Sequence, residues 1–137
     1  MSKPNYSISH TRHLILISRD NEWDYSSEIA YLSELADTVE RYKRRPFSIV
    51  VDMRGWHIPD EIRYGPKRED VTLDRRSQIG ECWLLDTPHQ ADHLLRHFIG
   101  VKFHLEHVYS DNEVLRWARQ MVPEDEVTEL SKWLDEQ

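Results

Sequence analysis

Three histidines, His89, His93 and His97, recur at every fourth position. On an α-helix that spacing lines three imidazoles along one face, where they could chelate a divalent metal such as zinc or nickel. At 100° per residue the row falls opposite Leu94, Leu95 and Phe98 and therefore faces solvent. No carboxylate or cysteine is on hand to complete a shell, so a helix surface that happens to be His-rich is the preferred reading and no metal is assigned.

Acidic residues suggest a second chemistry. Asp52, Asp86 and Thr87 close two apolar runs, and Asp20 and Glu22 follow an earlier one. Acids converging at strand ends could hold Mg²⁺ for phosphoryl transfer or, with a histidine, for metal-assisted hydrolysis. A receiver-like arrangement does not fit: only one helical segment separates Asp20 from the strand of Asp52, and Lys102 precedes Phe103 instead of following its strand. Helix capping accounts for Asp86 and Thr87, and turn chemistry for Asp52 ahead of Gly55. A third group is Asp52, Arg54, Trp56, His57, Ile58 and Tyr64, in and just after the end of one apolar run. Apolar side chains in a loop either fold back over the sheet as a lid or form a binding surface, the lid being the favoured reading. They make this loop the candidate ligand-binding site.

Familiar catalytic signatures are missing: there is no phosphate-binding Gly loop, no Gly-x-Ser-x-Gly elbow and no zinc-protease helix. No cofactor is therefore expected. Cys82 is the single cysteine, which excludes an intrachain disulfide and a Cys-based zinc site and reads as a small core residue.

The elements that position these residues are set by periodicity. Phe47-Ser48-Ile49-Val50-Val51 opens after Pro46, closes on Asp52 and Gly55, and lacks alternation, as a strand buried on both faces does. Ligands of open α/β sheets sit beyond the carboxyl ends of such strands. Before it, Tyr6 to Arg19 reads as two strands with a tight connection, the first at an edge. Ile29, Leu32, Leu35, Ala36, Val39 and Tyr42 then mark a helix capped by Asp24 or Ser26, with Arg41, Lys43, Arg44 and Arg45 at its C-terminus. After it, a sparsely apolar helix is expected from about Lys67 to Gln78, a buried strand over Cys82–Leu85, and a helix beginning near Pro88 and ending at Gly100. Phe103 and Leu105 alternate with polar neighbours, giving a half-exposed strand toward an edge. Ser110 and Glu113 form a capping box for a helix whose core face includes Val114, Trp117 and Ala118. A short extra helix from about Pro123 directs Val127, Leu130, Trp133 and Leu134 inward or toward a partner.

This order predicts one α/β domain over residues 1–137, a mixed, mostly parallel sheet of about five strands with flanking helices and an antiparallel opening hairpin. The 137-residue length suits a single core. A net charge of −7 argues against nucleic-acid binding. The longest early apolar run, Leu14 to Ile17, is too short for a signal peptide or a membrane span, and a cytoplasmic location is expected.

The Leu14 to Ile17 strand, the Phe47–Met53 strand with its Gly-Trp turn, the Cys82 to Leu85 strand, and Phe103 to Val108 leading into the helix of Trp117 together resemble the bacterial SpoIIAA-like family. That family belongs with STAS domains and is related in fold to the lipid-carrying CRAL-TRIO (Sec14-like) domains. The likeness spans roughly residues 6 to 122 and is one of pattern. It implies a mixed sheet flanked by helices without an established enzymatic activity. In the family's anti-sigma-factor antagonists a phosphorylatable Ser opens the helix after the strand equivalent to Phe47–Asp52. No Ser or Thr lies between Met53 and Val71 here, so no phosphorylation site is carried over. The kinship with lipid carriers suggests a lipophilic small ligand beneath the Trp56 loop. The leading expectation is thus a non-enzymatic binding or regulatory module for such a ligand or a regulatory protein. The alternatives are a metal-assisted hydrolase using Asp52, Asp86 and a histidine, and a homodimer formed through an edge strand or the helix of Trp133.

Overall fold

A computed structural model describes residues 6–19, 23–65 and 73–137. At its centre Phe47–Asp52 forms strand β3, whose 6 residues are all buried. On one side it pairs in parallel with β2 (Leu14–Arg19), which pairs antiparallel with the edge strand β1 (Tyr6–His10). On the other it pairs in parallel with β4 (Gln78–Leu84), which pairs in parallel with β5 (His104–Val108) at the opposite edge. The order across the sheet is therefore the order along the chain. This is the expected fold class: α/β, with one antiparallel pair in an otherwise parallel sheet.

Successive crossovers that advance in one direction with the usual right-handedness place their connections on the same face. Those connections are α1 (Tyr25–Glu40), the short α2 (Asp60–Arg63) and a 3-10 helix at Asp92–His97. Tyr31, Leu35, Val39, Ile62 and Ala91 pack there on Ile15, Ile17, Ile49, Val51 and Trp83. Among the described residues, the other face is covered by the two helices C-terminal to β5. There α3 (Asp111–Met121) and α4 (Glu124–Asp135) bring Val114, Trp117, Ala118, Val127, Leu130 and Trp133 onto Leu14, Leu16, Val50, Cys82 and Leu84. Burial of a Leu, Ile or Val side chain contributes roughly 1.5–3 kcal/mol, so a strand apolar on both faces stabilises two layers at once. Gly80 permits close approach on this side, since a Cβ there would lie 2.7 Å from Met121 Cε.

The caps match the sequence. Asp24 accepts from the Ser27 amide at 2.7 Å, and Ser110 Oγ from the Glu113 amide at 3.3 Å. Glu113 reaches back to the amide of Tyr109, one residue short of the usual partner in a capping box. Among the described residues no helix is long and apolar enough to cross a membrane.

Two expectations about local structure are corrected. Residues 66–72 of the helix expected from Lys67 lie outside the described residues, but its described end is not helical. Arg76 and Ser77 form a turn, and β4 already begins at Gln78 instead of Cys82. Gln78 and Glu81 can enter a buried strand because they bond each other at 2.8 Å, and Arg75 and the Trp83 indole add donors to Glu81. Second, the helix expected between Pro88 and Gly100 is a single 3-10 stretch. The Gln90 side chain fixes the start of that connection to the carbonyls of Met53 and Trp56, and Gly100 turns its end with φ 84°. Six residues remain between these points as helix. Trp133, expected to point inward or toward a partner, points inward and is 8% exposed.

Candidate functional site

Three neighbouring parallel strands deliver their carboxyl ends to one rim of the sheet. Side chains alternate along a strand, so Asp52, in phase with Val50, leaves toward α3 and α4, whereas Arg19, in phase with Ile15 and Ile17, leaves toward α1. The rim thus has two halves of different chemistry.

The ionic half is built on Asp52. Its Oδ1 accepts from the Arg54 amide and Nε, both at 3.0 Å, and its Oδ2 from Arg54 Nη2 at 3.0 Å. Arg54 Nη1 also lies 3.0 Å from Asp111 Oδ1 at the start of α3. Paired fork contacts of this kind are the strong form of an ion pair. With Ser18, Arg19 and residues 134–137 these groups line a cleft of about 610 Å³. Both Asp52 oxygens are occupied by a cation already present. Asp86 is turned to another task, its Oδ2 accepting from the Gly55 amide at 2.7 Å where φ is 75°. Asp20 and Glu22, expected at the same rim, lie outside the described residues.

The other half is aromatic and cationic. The Arg19 guanidinium carbon sits 4.2 Å from the Trp56 ring centroid, 4.3 Å from that of Tyr31 and 5.5 Å from that of Trp23. The Trp23 and Trp56 rings meet edge-on at 5.6 Å. A cation over an aromatic face gains ~0.5–2 kcal/mol, the larger figure when both are dry. Arg19 is 8% exposed and Trp56 3%. Trp56 has therefore folded back over the sheet as a lid residue does, and Ile58 packs in the same core. His57 and Tyr64 remain exposed. Of the six residues singled out in and after this loop, Asp52 and Arg54 meet on one side of the sheet, and Trp56 and Ile58 on the other.

His93 enters the same half, its ring 5.9 Å from Trp56. Burial pushes its imidazole down to about 4, and the positive charges of Arg63, Arg19 and Arg96 push the same way. The three histidines do not form a row. A 3-10 helix advances about 120° per residue, so a four-residue step displaces side chains around the axis. His89 lies outside the helix and pairs with Asp92 at 2.8 Å, while His93 turns inward. Among the described residues no group of three His, Cys, Asp or Glu side chains could hold a metal.

Hydrogen bonding here is incomplete. Arg63 Nη2 donates to the Gln90 carbonyl at 3.2 Å and Arg96 Nη1 to that of Gly65 at 2.7 Å. Yet among the described residues Arg19 Nε, Arg96 Nε, Trp56 Nε1 and both ring nitrogens of His93 are buried without a partner. An unpaired buried polar group costs ~1–3 kcal/mol, and native cores contain few. Four of these atoms, on Arg19, His93 and Trp56 itself, gather at one tryptophan and mark this place out. Sequence reasoning overlooked Arg19, Arg63 and Arg96. The available signal was Arg19 itself, a charge standing in phase with core-facing isoleucines.

No protein-family model, curated protein or solved structure matches this chain. The functional reading therefore rests on the chemistry of the rim.

Proposed function

We propose that this chain is a non-enzymatic binding or regulatory module whose ligand is taken up at the carboxyl rim of β2, β3 and β4, on the side of Trp56. The observation that carries this reading is the buried Arg19 guanidinium, caged by three aromatic rings and near polar atoms of Trp56 and His93 that have no partner among the described residues. Such a cluster is costly in an empty protein and is repaid when a ligand supplies the missing bonds. It stands where ligands of open α/β sheets bind. The strand-end acids support binding over catalysis, since Asp52 is engaged by Arg54 and Asp86 by Gly55. The SpoIIAA-like resemblance, which brings no established enzymatic activity with it, leans the same way.

Native mass spectrometry of protein purified from cells, followed by a thermal-shift screen of small molecules, tests the reading. A copurifying or added compound should raise Tm and move the indole N–H resonance of Trp56. If no compound of any charge class does so, and phosphate esters are turned over with Mg²⁺ by a protein that Asp52→Asn inactivates, the module reading is wrong.

A further inference from the structure

The unpartnered atoms around Trp56 also carry a sign. Arg19 Nε, Arg96 Nε and Trp56 Nε1 can only donate, and a neutral His93 adds one donor and one acceptor. Four donors against one acceptor ask for a ligand rich in acceptors. The charges agree. Arg19, Arg63 and Arg96 all act electrostatically on His93, and none of the three has a carboxylate within ion-pair distance among the described residues.

Among the described residues, the acids near this region are already committed. Glu28 accepts from the Trp23 indole at 2.5 Å, and Glu81 from Arg75, Gln78 and the Trp83 indole. Arg19 lies over the Trp56 ring, while Arg63 and Arg96 are tied to the carbonyls of Gln90 and Gly65, in a chain whose net charge is −7. A polyanion would be repelled by the remaining surface, whereas a compact anion feels chiefly the donors beside it. Arg63, His93 and Arg96 are half-buried, so each keeps part of its side chain toward solvent.

Resting on the binding-module reading, we infer that the Trp56 half of the rim is an oxyanion site, in which Arg19, Arg63 and Arg96 take up the phosphate or carboxylate group of a small ligand, with the Trp56 indole and His93 as additional donors. Planar guanidinium forks suit the oxygens of either group, and charge-assisted bonds in a sheltered place are the strong ones.

Thermal shift and titration calorimetry with inorganic phosphate, and separately with malonate, at ionic strength held constant with sodium chloride, test the inference. Saturable stabilisation beyond that of chloride is expected from at least one probe, and the tighter one identifies the group recognised. Arg63→Gln and Arg96→Gln should each weaken it about tenfold or more, and Arg119→Gln, exposed on α3 across the sheet, should leave it unchanged. If either arginine variant fails to fold, the Trp56 indole resonance of the unaltered protein decides. A saturable shift with phosphate or malonate supports the site, and no shift overturns it. An adventitious ion only, meaning an effect equal to that of chloride or undiminished in both variants, also overturns it. A neutral compound that binds while both probes fail removes the oxyanion assignment and leaves the module reading intact. Failure of every compound overturns the oxyanion site and, where phosphate esters are also turned over by a protein that Asp52→Asn inactivates, the module reading with it.

Discussion

Glu126, in the last helix, accepts hydrogen bonds from the backbone amide of His13 at 2.7 Å and the His13 ring at 2.6 Å, joining residues 113 positions apart. The Thr11 hydroxyl donates to the same carboxylate at 2.5 Å. Glu126 is 2% exposed, yet it has partners for both oxygens. It pins α4 to the turn between β1 and β2, and so the end of the chain to its beginning.

Replacing Glu126 by Ala strands the Thr11 hydroxyl and the His13 amide. A loss of roughly 3 kcal/mol in unfolding free energy is expected from urea denaturation. Glu126→Gln, which retains an acceptor, should lose about half as much. Equal losses for the two would show that packing, not hydrogen bonding, holds the helix here.

Stability should fall in acid in two windows. The His93 imidazole is held down to about 4 in the folded chain, chiefly by burial, against an ordinary value of 6.5. Between those values the unfolded chain binds the extra proton, so stability decreases as pH falls from about 6.5 to about 4 and this contribution levels off below. Glu126 behaves as a depressed acid. Burial pushes its carboxyl up, but the bonds from Thr11 and His13 outweigh burial and hold it below the ordinary 4.5. Its contribution is present above that value and is lost as pH falls through the folded one. Chemical denaturation across this range should show the upper window flattened in His93→Gln and the lower one in Glu126→Gln.

Arg54 and Asp111 should differ sharply in worth. Removing Arg54 leaves the buried Asp52 carboxylate without its fork, and Arg54→Ala is expected to cost about 2–3 kcal/mol. Asp111→Asn touches the outer contact alone, with the Asp111 side chain 42% exposed, and should cost about 0.5 kcal/mol or less. A double-mutant cycle between Asp52→Asn and Arg54→Gln should give a coupling of more than about 1 kcal/mol.

Trp133→Ala should cost about 3–5 kcal/mol through the cavity it opens against the sheet. Analytical sedimentation of the unaltered protein separates this from a role in self-association, because an inward-facing tryptophan leaves the oligomeric state independent of that residue.

The sheet was legible in the sequence because its evidence is local. Phe47 to Val51 carries no charged position, and Phe103, Leu105 and their neighbours alternate, so centre and edge were separable from residue types alone. The 3-10 stretch was not legible: Ala91, Leu94, Leu95 and Phe98 match a helical face, and only the tether from Gln90 to the carbonyls of Met53 and Trp56 shortens it. Leu95, drawn to the core by that pattern, is 40% exposed. The beginning of β4 was hidden by Gln78 and Glu81, whose polarity argues against a buried strand until their mutual bond is known. At the rim, the loop of Trp56 was found from its residue types. The separation of Asp52 from Trp56 by the plane of the sheet depends on strand phase, and the gathering of Arg19, Arg63 and Arg96 depends on three crossovers folding toward one another.

Strand order that repeats chain order has a consequence for biosynthesis. Each strand leaving the ribosome finds its neighbour already made, and the layer of α1 is laid down as the sheet widens. The reverse surface, with Leu14, Leu16, Val50, Cys82 and Leu84, stays naked until α3 and α4 emerge. A nascent chain halted before residue 111 is therefore a half-clad sheet, a natural client for chaperones and a seed for aggregation.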